Sequence, residues 1–284
     1  MILIADGGAT RTSWSFINDQ SVYNFETEGY HPFFVDAGYI AASLQKALPD
    51  TLARHSRHIK EICFYSAGSG YSKEADAVLE QGIAAVFHNA EIALETDLLA
   101  AARALLQQEA GFAAILGTGS NSGMYDGSVI THNIESGGFL LGDEGSGSYL
   151  GKMIIAGYIR GDMPEALKTH FEDRYALTPE QLIHEVYTSK TPNQYCARFA
   201  AFAGDHIQDP YCRELATGNF DDFFKKIITR YPDYQRYSIN TVGSVAYYLK
   251  DIFAAVATRY GIRVGNIFPS AIEGLTRYHR PNHL

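Results

Sequence analysis

Short apolar runs alternate with small polar turns along the chain, and the first run sets the pattern. Ile2–Ala5 is apolar throughout and reads as a buried strand. The turn Asp6-Gly7-Gly8-Ala9-Thr10-Arg11 follows, and Thr12–Ile17 returns as a second strand with Trp14 and Phe16 alternating. Ser21–Thr27 supplies a third strand, completing a meander with a tight first turn. Leu44, Leu48 and Leu52 are spaced by four, which predicts a helix over Tyr39–Leu52. Glu61–Ser66 (EICFYS) is a short strand running into Ala67-Gly68-Ser69-Gly70. Ser72–Phe87 then reads as helix, Glu91–Leu94 as strand, and the alanine- and leucine-rich Leu98–Gln108 as a helix that stops before Gly111.

At Phe112 the opening pattern recurs. "FAAILGTGSNSGMYDGSVI" is again an apolar strand, a turn of glycine, threonine and serine, and a returning strand, about 110 residues after Ile2. Two such openings, each at the head of a domain's length of chain, predict an internally duplicated α/β protein. The expected boundaries are 1–110 and 111–284, with the last residues packing back on the first lobe. Further on, Gly147–Ile159 is a predicted helix, and Thr178-Pro179-Glu180-Gln181 is a capping box with proline at the first helical position. Helices are predicted over Asn193–Ile207, Tyr211–Arg230 and Val245–Tyr260, and strands over Ser238–Val242 and Arg263–Phe268, with Gly274–His279 closing the fold. No low-complexity linker interrupts this order, so the expectation is two packed lobes with a cleft between them.

Composition narrows the field. The 284 residues are 46% apolar, enough for a substantial core, and carry a formal charge of −9, opposite to that of most nucleic-acid binders. An anionic ligand remains compatible, because backbone N–H groups bind phosphate without a basic surface. Cys63, Cys196 and Cys212 are scattered, and no C-x-x-C pair suggests a zinc site or a disulfide framework. Buried thiols in a reducing cytoplasm are expected. No apolar run reaches the ~18 residues of a membrane span, and no leader precedes the first strand, so a soluble, cytoplasmic protein is expected. Nineteen tyrosines leave room for an aromatic homodimer interface, or they can lie in the core.

Five stretches are able to carry chemistry. In Asp6-Gly7-Gly8-Ala9-Thr10-Arg11-Thr12, consecutive N–H groups make an anion-binding concavity, Thr10 and Thr12 add hydroxyls, and Asp6 suits hydrated Mg²⁺. An ordinary hairpin turn explains the same residues. Gly117-Thr118-Gly119-Ser120-Asn121-Ser122-Gly123 repeats the donor logic, and neither turn carries a lysine, leaving amides, hydroxyls, Arg11 and a metal to offset phosphate charge. Gly142-Asp143-Glu144-Gly145-Ser146-Gly147 opens a helix. Its acids suit a helix N-terminus, while Gly137-Gly138 upstream suggests a small molecule against the backbone with Asp143 on its hydroxyls. Thr96-Asp97 is a strand end opening a helix, where Asp97 serves as a cap or as the general base of a phosphoryl transfer. Gly243-Ser244 is a strand-to-helix turn, either plain or lying against a nucleoside.

These stretches, in this order, resemble the ASKHA superfamily of sugar kinases, actin and chaperone-type ATPases. "DGGATRT" resembles the first phosphate motif, "ILGTGSNS" the second and "TVGSVA" the adenosine motif. "GTGSNS" followed by "GDEGSGSYLG" resembles the N-acetylglucosamine kinase family, grouped with BadF/BadG/BcrA/BcrD-type ATPases. The resemblance spans nearly the whole chain. It implies two ribonuclease-H-like lobes that bind ATP and Mg²⁺ and phosphorylate an amino sugar. By position it makes Asp97 the catalytic base and Asn121, Asp143 and Gly137-Gly138 sugar contacts. Thr10 and Thr118 fall on phosphate contacts, Gly243 and Ser244 on the nucleoside motif, and Asp6 on the metal-linked acid. The family's sugar-contacting asparagine after the first meander is matched here by His31, within "EGYHPFF", which leaves the acceptor sugar open. Two other classes stand beside the kinase. An activator ATPase of the same fold would hold an iron–sulfur cluster on cysteines, and a sugar or nucleotide sensor would bind without turnover.

Overall fold

A computed structural model describes residues 1–8, 10–18, 21–30, 35–70 and 72–280. His31 lies outside the described residues. Chain contacts divide the molecule into two units, one of Met1–Glu109 with Gly127–Ile130 and Ser270–Leu284, the other of Ala110–Asp126 with Thr131–Pro269.

In the first unit, β1 (Ile2–Gly7), β2 (Arg11–Ile17) and β3 (Val22–Glu28) form the antiparallel meander. Helices α1 (Ala37–Ala47) and α2 (Asp50–Ala53) follow, then β4 (Glu61–Ser66), α3 (Lys73–Ala84), β5 (Glu91–Thr96) and α4 (Asp97–Leu106). β4 lies parallel to β1, and β5 parallel to β4, giving the order β3-β2-β1-β4-β5. The single helix expected over Tyr39–Leu52 is two. Leu48 turns extended ahead of Pro49, which has no N–H to continue the ladder, and α2 restarts after it. Trp14 is the centre of this core. It stacks on Phe25 at 5.6 Å between ring centroids, lies tilted on Phe64 at 5.4 Å, and donates its indole N–H to Thr27 Oγ1 at 3.0 Å.

The second unit opens with β6 (Gly111–Leu116), β7 (Ser120–Tyr125) and β8 (Ile130–Asn133). Then come α5 (Gly138–Leu141), α6 (Gly147–Arg160), α7 (Glu165–Tyr175), α8 (Pro179–Thr188), α9 (Pro192–Ala197), α10 (Ala200–Asp205) and α11 (Pro210–Lys226). β9 (Ser238–Val242), α12 (Ser244–Tyr248), α13 (Lys250–Arg259) and β10 (Arg263–Phe268) complete it. β9 pairs parallel with β6, and β10 parallel with β9, so the sheet order is β10-β9-β6-β7-β8. Read outward from β1 and from β6, the two sheets have the same order. The duplication expected from two similar turns is therefore a duplication of topology.

The capping box forms as read, with the Gln181 N–H on Thr178 Oγ1 and the Thr178 N–H on Gln181 Oε1. The helix expected over Asn193–Ile207 breaks at Arg198–Phe199, and that over Val245–Tyr260 breaks at Leu249. Helix α7 was not legible. Its apolar stripe is thin, and only Leu167 and Phe171 are buried. Phe171 is nonetheless central to the unit's core, in ring contact with Tyr158, Tyr175, Phe199 and Phe202. The last helix, α14 (Ile272–His279), belongs to the first unit, where it packs on α4, β1 and β2.

Glycines set the closest helix approaches. A Cβ at Gly151 in α6 would stand 1.9 Å from the Cys196 carbonyl oxygen of α9. Gly151→Ala is expected to destabilise the protein by ~1–3 kcal/mol, the cost of overpacking. That outweighs the ~1 kcal/mol that alanine gains over glycine in a helix. Urea unfolding of the variant beside the parent checks it.

Candidate active site

The first unit gathers its chemistry along one row. Gly7 of β1, Ser66 of β4 and Thr96 of β5 are register partners at the carboxyl ends of three parallel strands. In parallel α/β sheets, ligands bind outside that edge. Asp6 stands one residue before the end of β1, and Asp97 one residue beyond the end of β5.

Asp97 is both cap-adjacent and chemically perturbed. The helix cap is Thr96, whose Oγ1 accepts the Leu99 N–H at 3.2 Å, so Asp97 is free of that duty. Its half-buried carboxyl is pushed up to about 6 by desolvation, with the neighbouring Asp6 charge adding to the rise and backbone N–H groups of the first helical turn opposing it. A carboxylate with that pKa is ionised at neutral pH, and it is more basic than an ordinary aspartate.

Asp6 is also raised, chiefly by burial. The Ala271 N–H at 3.3 Å, the Ser270 hydroxyl at 3.5 Å and the Arg11 charge all pull the other way. Ser270 and Ala271 were missed in the sequence, because 264 and 265 residues separate them from Asp6. Arg11 itself pairs with Glu26 across β2 and β3 at 3.2 Å, both side chains more than half exposed. In the turn, the Gly8 N–H is taken by the Arg11 carbonyl at 2.9 Å. Gly7 has no room for a side chain, since a Cβ would lie 2.9 Å from the Tyr65 carbonyl oxygen. Thr10 is exposed, whereas Thr12, opposite Gly7, is fully buried and its Oγ1 has no partner among the described residues.

The second unit builds its site on the β6–β7 turn. The Gly117 N–H bonds the Gly119 carbonyl at 3.0 Å, closing the turn on itself. Helix α6 clamps it from outside: the Gly147 N–H donates to the Gly117 carbonyl at 2.8 Å and the Ser148 N–H to the Thr118 carbonyl at 3.0 Å. Space beside Gly117 is open to 4 Å, and the buried Ser120 Oγ has no partner among the described residues. Gly243 adopts φ 123°, and a Cβ there would meet the Leu116 carbonyl oxygen at 2.3 Å. The glycine is thus demanded first by the approach of two backbones.

Asp143 is 6% exposed and sits at φ 62°, the left-handed region that few non-glycine residues enter. Its Oδ1 accepts the Ser120 N–H at 3.2 Å and the Ser136 hydroxyl at 3.1 Å, and burial raises its pKa against those bonds. Gly137 and Gly138, at φ 79° and 65°, turn the chain back so that the Asp143 N–H reaches the Ser136 carbonyl at 3.2 Å. Asn121 is held by Asn133, whose Nδ2 donates to its Oδ1 at 2.9 Å. Next to Asp143, the buried Glu144 pairs with Lys226 at 3.3 Å, and Lys226 also pairs with Asp222 at 3.2 Å. Ser136, Asn133 and Lys226 carried no motif. Only the fold brings them beside residues that did.

These residues fit a phosphate-bearing nucleotide. Each unit has a buried hydroxyl beside a glycine turn that lacks a partner among the described residues, and the first has a carboxyl of Mg²⁺-ligating type at a strand end. Two sheets of one strand order, with acids and glycine turns at the strand ends, define the α/β class of two ribonuclease-H-like lobes, the ASKHA superfamily. No protein-family model and no curated protein sequence matches the chain. It is 34% identical to a candidate N-acetylglucosamine kinase from Porphyromonas gingivalis, over 100% of both chains, with a TM-score of 0.93. It therefore belongs to the N-acetylglucosamine kinase family. At 18% identity, a candidate N-acetylglucosamine kinase from Chromobacterium violaceum shares the fold over 98% of each chain, with a TM-score of 0.69. A ROK-family glucokinase from Streptomyces griseus, solved with glucose and AMPPNP, shares it at 13% identity over 98% of this chain and 97% of that one, with a TM-score of 0.53.

Two expectations follow from the coupling of Asp6 and Asp97. Asp6→Asn removes a like charge, so the Asp97 pKa falls, as read from carboxyl carbon shifts in an NMR titration. Asp97 also binds its proton more tightly folded than unfolded, so wild-type stability declines as pH rises from about 3.8 to about 6. Asp97→Asn is therefore more stable than wild type above pH 6, with no gain below pH 4, measured by thermal unfolding across that range.

Proposed function

We propose that the protein is an ATP-dependent phosphotransferase acting on an amino sugar such as N-acetylglucosamine. The observation that carries this reading is the Asp97 carboxyl, raised to about 6 at the carboxyl edge of the parallel strands. A general base works best with a pKa near the working pH. Kinship with a candidate N-acetylglucosamine kinase supplies the substrate class.

Bound ATP supplies the phosphoryl group, and Mg²⁺ offsets the charge on its oxygens. Asp6 is the carboxylate for the hydrated metal. Gly7, Gly8, Thr10 and Thr12 in one unit, and Gly117, Thr118, Gly119 and Ser120 in the other, are the phosphate-binding residues. Asp143, Asn121 and the Gly137-Gly138 backbone bind the sugar. Asp143 accepts from hydroxyls, and the Ser120 N–H and Ser136 hydroxyl fix its orientation. Asp97 takes the proton of the attacking sugar hydroxyl on a carboxylate oxygen. Desolvation is what chiefly keeps that carboxyl basic.

The buried thiols speak against the activator-type ATPase. Cys63, Cys196 and Cys212 are all buried inside their own units, at 6%, 0% and 0% exposure, with none on the surface to share a cluster with a second copy. Among the described residues no helix is long and apolar enough to cross a membrane.

The decisive measurement is ADP release across N-acetylglucosamine, glucosamine, glucose, N-acetylmuramic acid and mannosamine, with the first expected to give the highest kcat/KM. Asp97→Asn is expected to keep the fold and lower kcat by ~10²–10⁴. In the wild type, kcat/KM should fall as pH drops through about 6, where Asp97 gains its proton. Unchanged turnover in the variant, on whichever sugar is best, removes Asp97 from the role.

A further inference from the structure

Helices α7 and α10 meet through two polar contacts, one helical turn apart on α7. Arg174 of α7 pairs with Asp205 at the end of α10. One turn earlier, the exposed His170 brings its Nδ1 to 3.2 Å from Nε2 of His206, the residue that caps α10. The other ring nitrogen of His206 is already engaged, for its Nδ1 lies 3.0 Å from the Phe202 carbonyl oxygen. A carbonyl only accepts, so that Nδ1 carries the proton and Nε2 presents a lone pair. The His206 ring is seated on Phe202, with centroids 4.3 Å apart at 33°. Neither helix carries a residue of the nucleotide or sugar site.

The pair has the dimensions of a chelate. Zinc–imidazole bonds are about 2.0–2.1 Å long, so two of them at a tetrahedral angle hold their nitrogens about 3.3–3.4 Å apart. The 3.2 Å between His170 and His206 reaches that value with a small rotation of the exposed His170 ring. A metal-ligating histidine typically donates its other ring N–H to a carbonyl or carboxylate, which fixes the tautomer. His206 makes that bond with no metal present. The spacing of the helices is set independently, by the Arg174–Asp205 pair and by Phe171 and Phe202 in edge contact at 5.3 Å. Binding therefore has to order little more than one side chain. Among the described residues no group of three histidines, cysteines or acids gathers to hold a metal, and Asp205 spends its charge on Arg174. The site thus offers two protein ligands and leaves the remaining positions to water. Two neutral nitrogens select the ion: imidazole suits Zn²⁺, Ni²⁺ and Cu²⁺, while Mg²⁺ takes oxygen.

We propose that His170 and His206 form a binding site for a divalent transition-metal ion of the zinc type, which bridges α7 and α10. His206 coordinates through Nε2 and His170 through Nδ1. The proton that His170 Nδ1 donates in the metal-free contact moves to its Nε2 by exchange with water. The ring stays neutral and no net proton is released. Two coordinate bonds then replace one hydrogen bond between the helices, and the second unit gains stability from the ion by linkage. The site is independent of the phosphoryl-transfer reading and takes a different metal from the one that accompanies ATP.

The test uses the untagged full chain without nucleotide at pH 8, above the ordinary range of imidazole. Calorimetry with Zn²⁺ and Ni²⁺, each repeated in excess Mg²⁺, is run on the wild type, H170Q, H206Q and H55Q/H58Q. The last variant removes another pair of neighbouring histidine rings, whose centroids are 6.1 Å apart. The wild type is expected to bind either ion saturably, with Mg²⁺ failing to compete. Each single glutamine variant should bind at least ~tenfold more weakly, and H55Q/H58Q should match the wild type. Zn²⁺ should raise the melting midpoint of the wild type but not of H170Q. Long-range proton–nitrogen NMR should show the His170 proton pass from Nδ1 to Nε2 as Zn²⁺ is added. H170Q alters an exposed side chain, so it carries the test should H206Q fail to fold. No saturable uptake by the wild type overturns the proposal. So does uptake unchanged in H170Q, and so does a loss in H55Q/H58Q as large as that in H170Q.

Discussion

The register of β1, β4 and β5 is the constraint on which the first unit's chemistry depends. Parallel pairing puts Gly7, Ser66 and Thr96 on one line, and the helix dictated by Thr96 begins one residue later. A one-residue slip in β5 would turn every side chain to the opposite face and carry Asp97 out of place. The cost of holding two carboxyls in this region appears in both pKa values, each raised by desolvation. Such spending of stability on poised acids is what functional sites do.

The second unit solves a different problem, the support of a turn that has no side chain of its own to anchor it. Its answer is backbone on backbone. Helix α6 donates two N–H groups to the carbonyls of Gly117 and Thr118, and the β9–α12 turn comes so near that only glycine fits at 243. The turn's carbonyls are thereby spent inward. Phosphate charge can be met this way without a lysine, by fixed dipoles that need no reorganisation. The same packing fixes the first turn of α12.

Around Asp143 the support is polar and longer-range. A left-handed aspartate is tolerated because two neighbours bond its carboxylate and two glycines before it bend the chain. Beside it, Glu144 is buried with its charge matched by Lys226, and Lys226 is shared with Asp222. Tyr149 ties into the same cluster through its hydroxyl, which donates to Asp222 at 2.6 Å and accepts from Lys226 at 3.3 Å. An unmatched charge at Glu144 would be costly, which makes Lys226 a structural counter-ion.

What the sequence determined by itself was local. Alternating apolar runs specified the strands, with β4, β9 and β10 legible to the residue, and turn and cap chemistry marked Gly117, Gly243, Thr178 and the Thr96-Asp97 junction. Those features rest on period, propensity and hydrogen bonds between near neighbours, so a short window holds the information. The tertiary structure alone decided the rest: the split helices, the thin-striped α7, and the partners of Asp6, Asp143 and Glu144. Those depend on which surfaces meet after collapse. Even the raised pKa of Asp97 belongs there, because desolvation is a property of the packed neighbourhood and no dipeptide carries it.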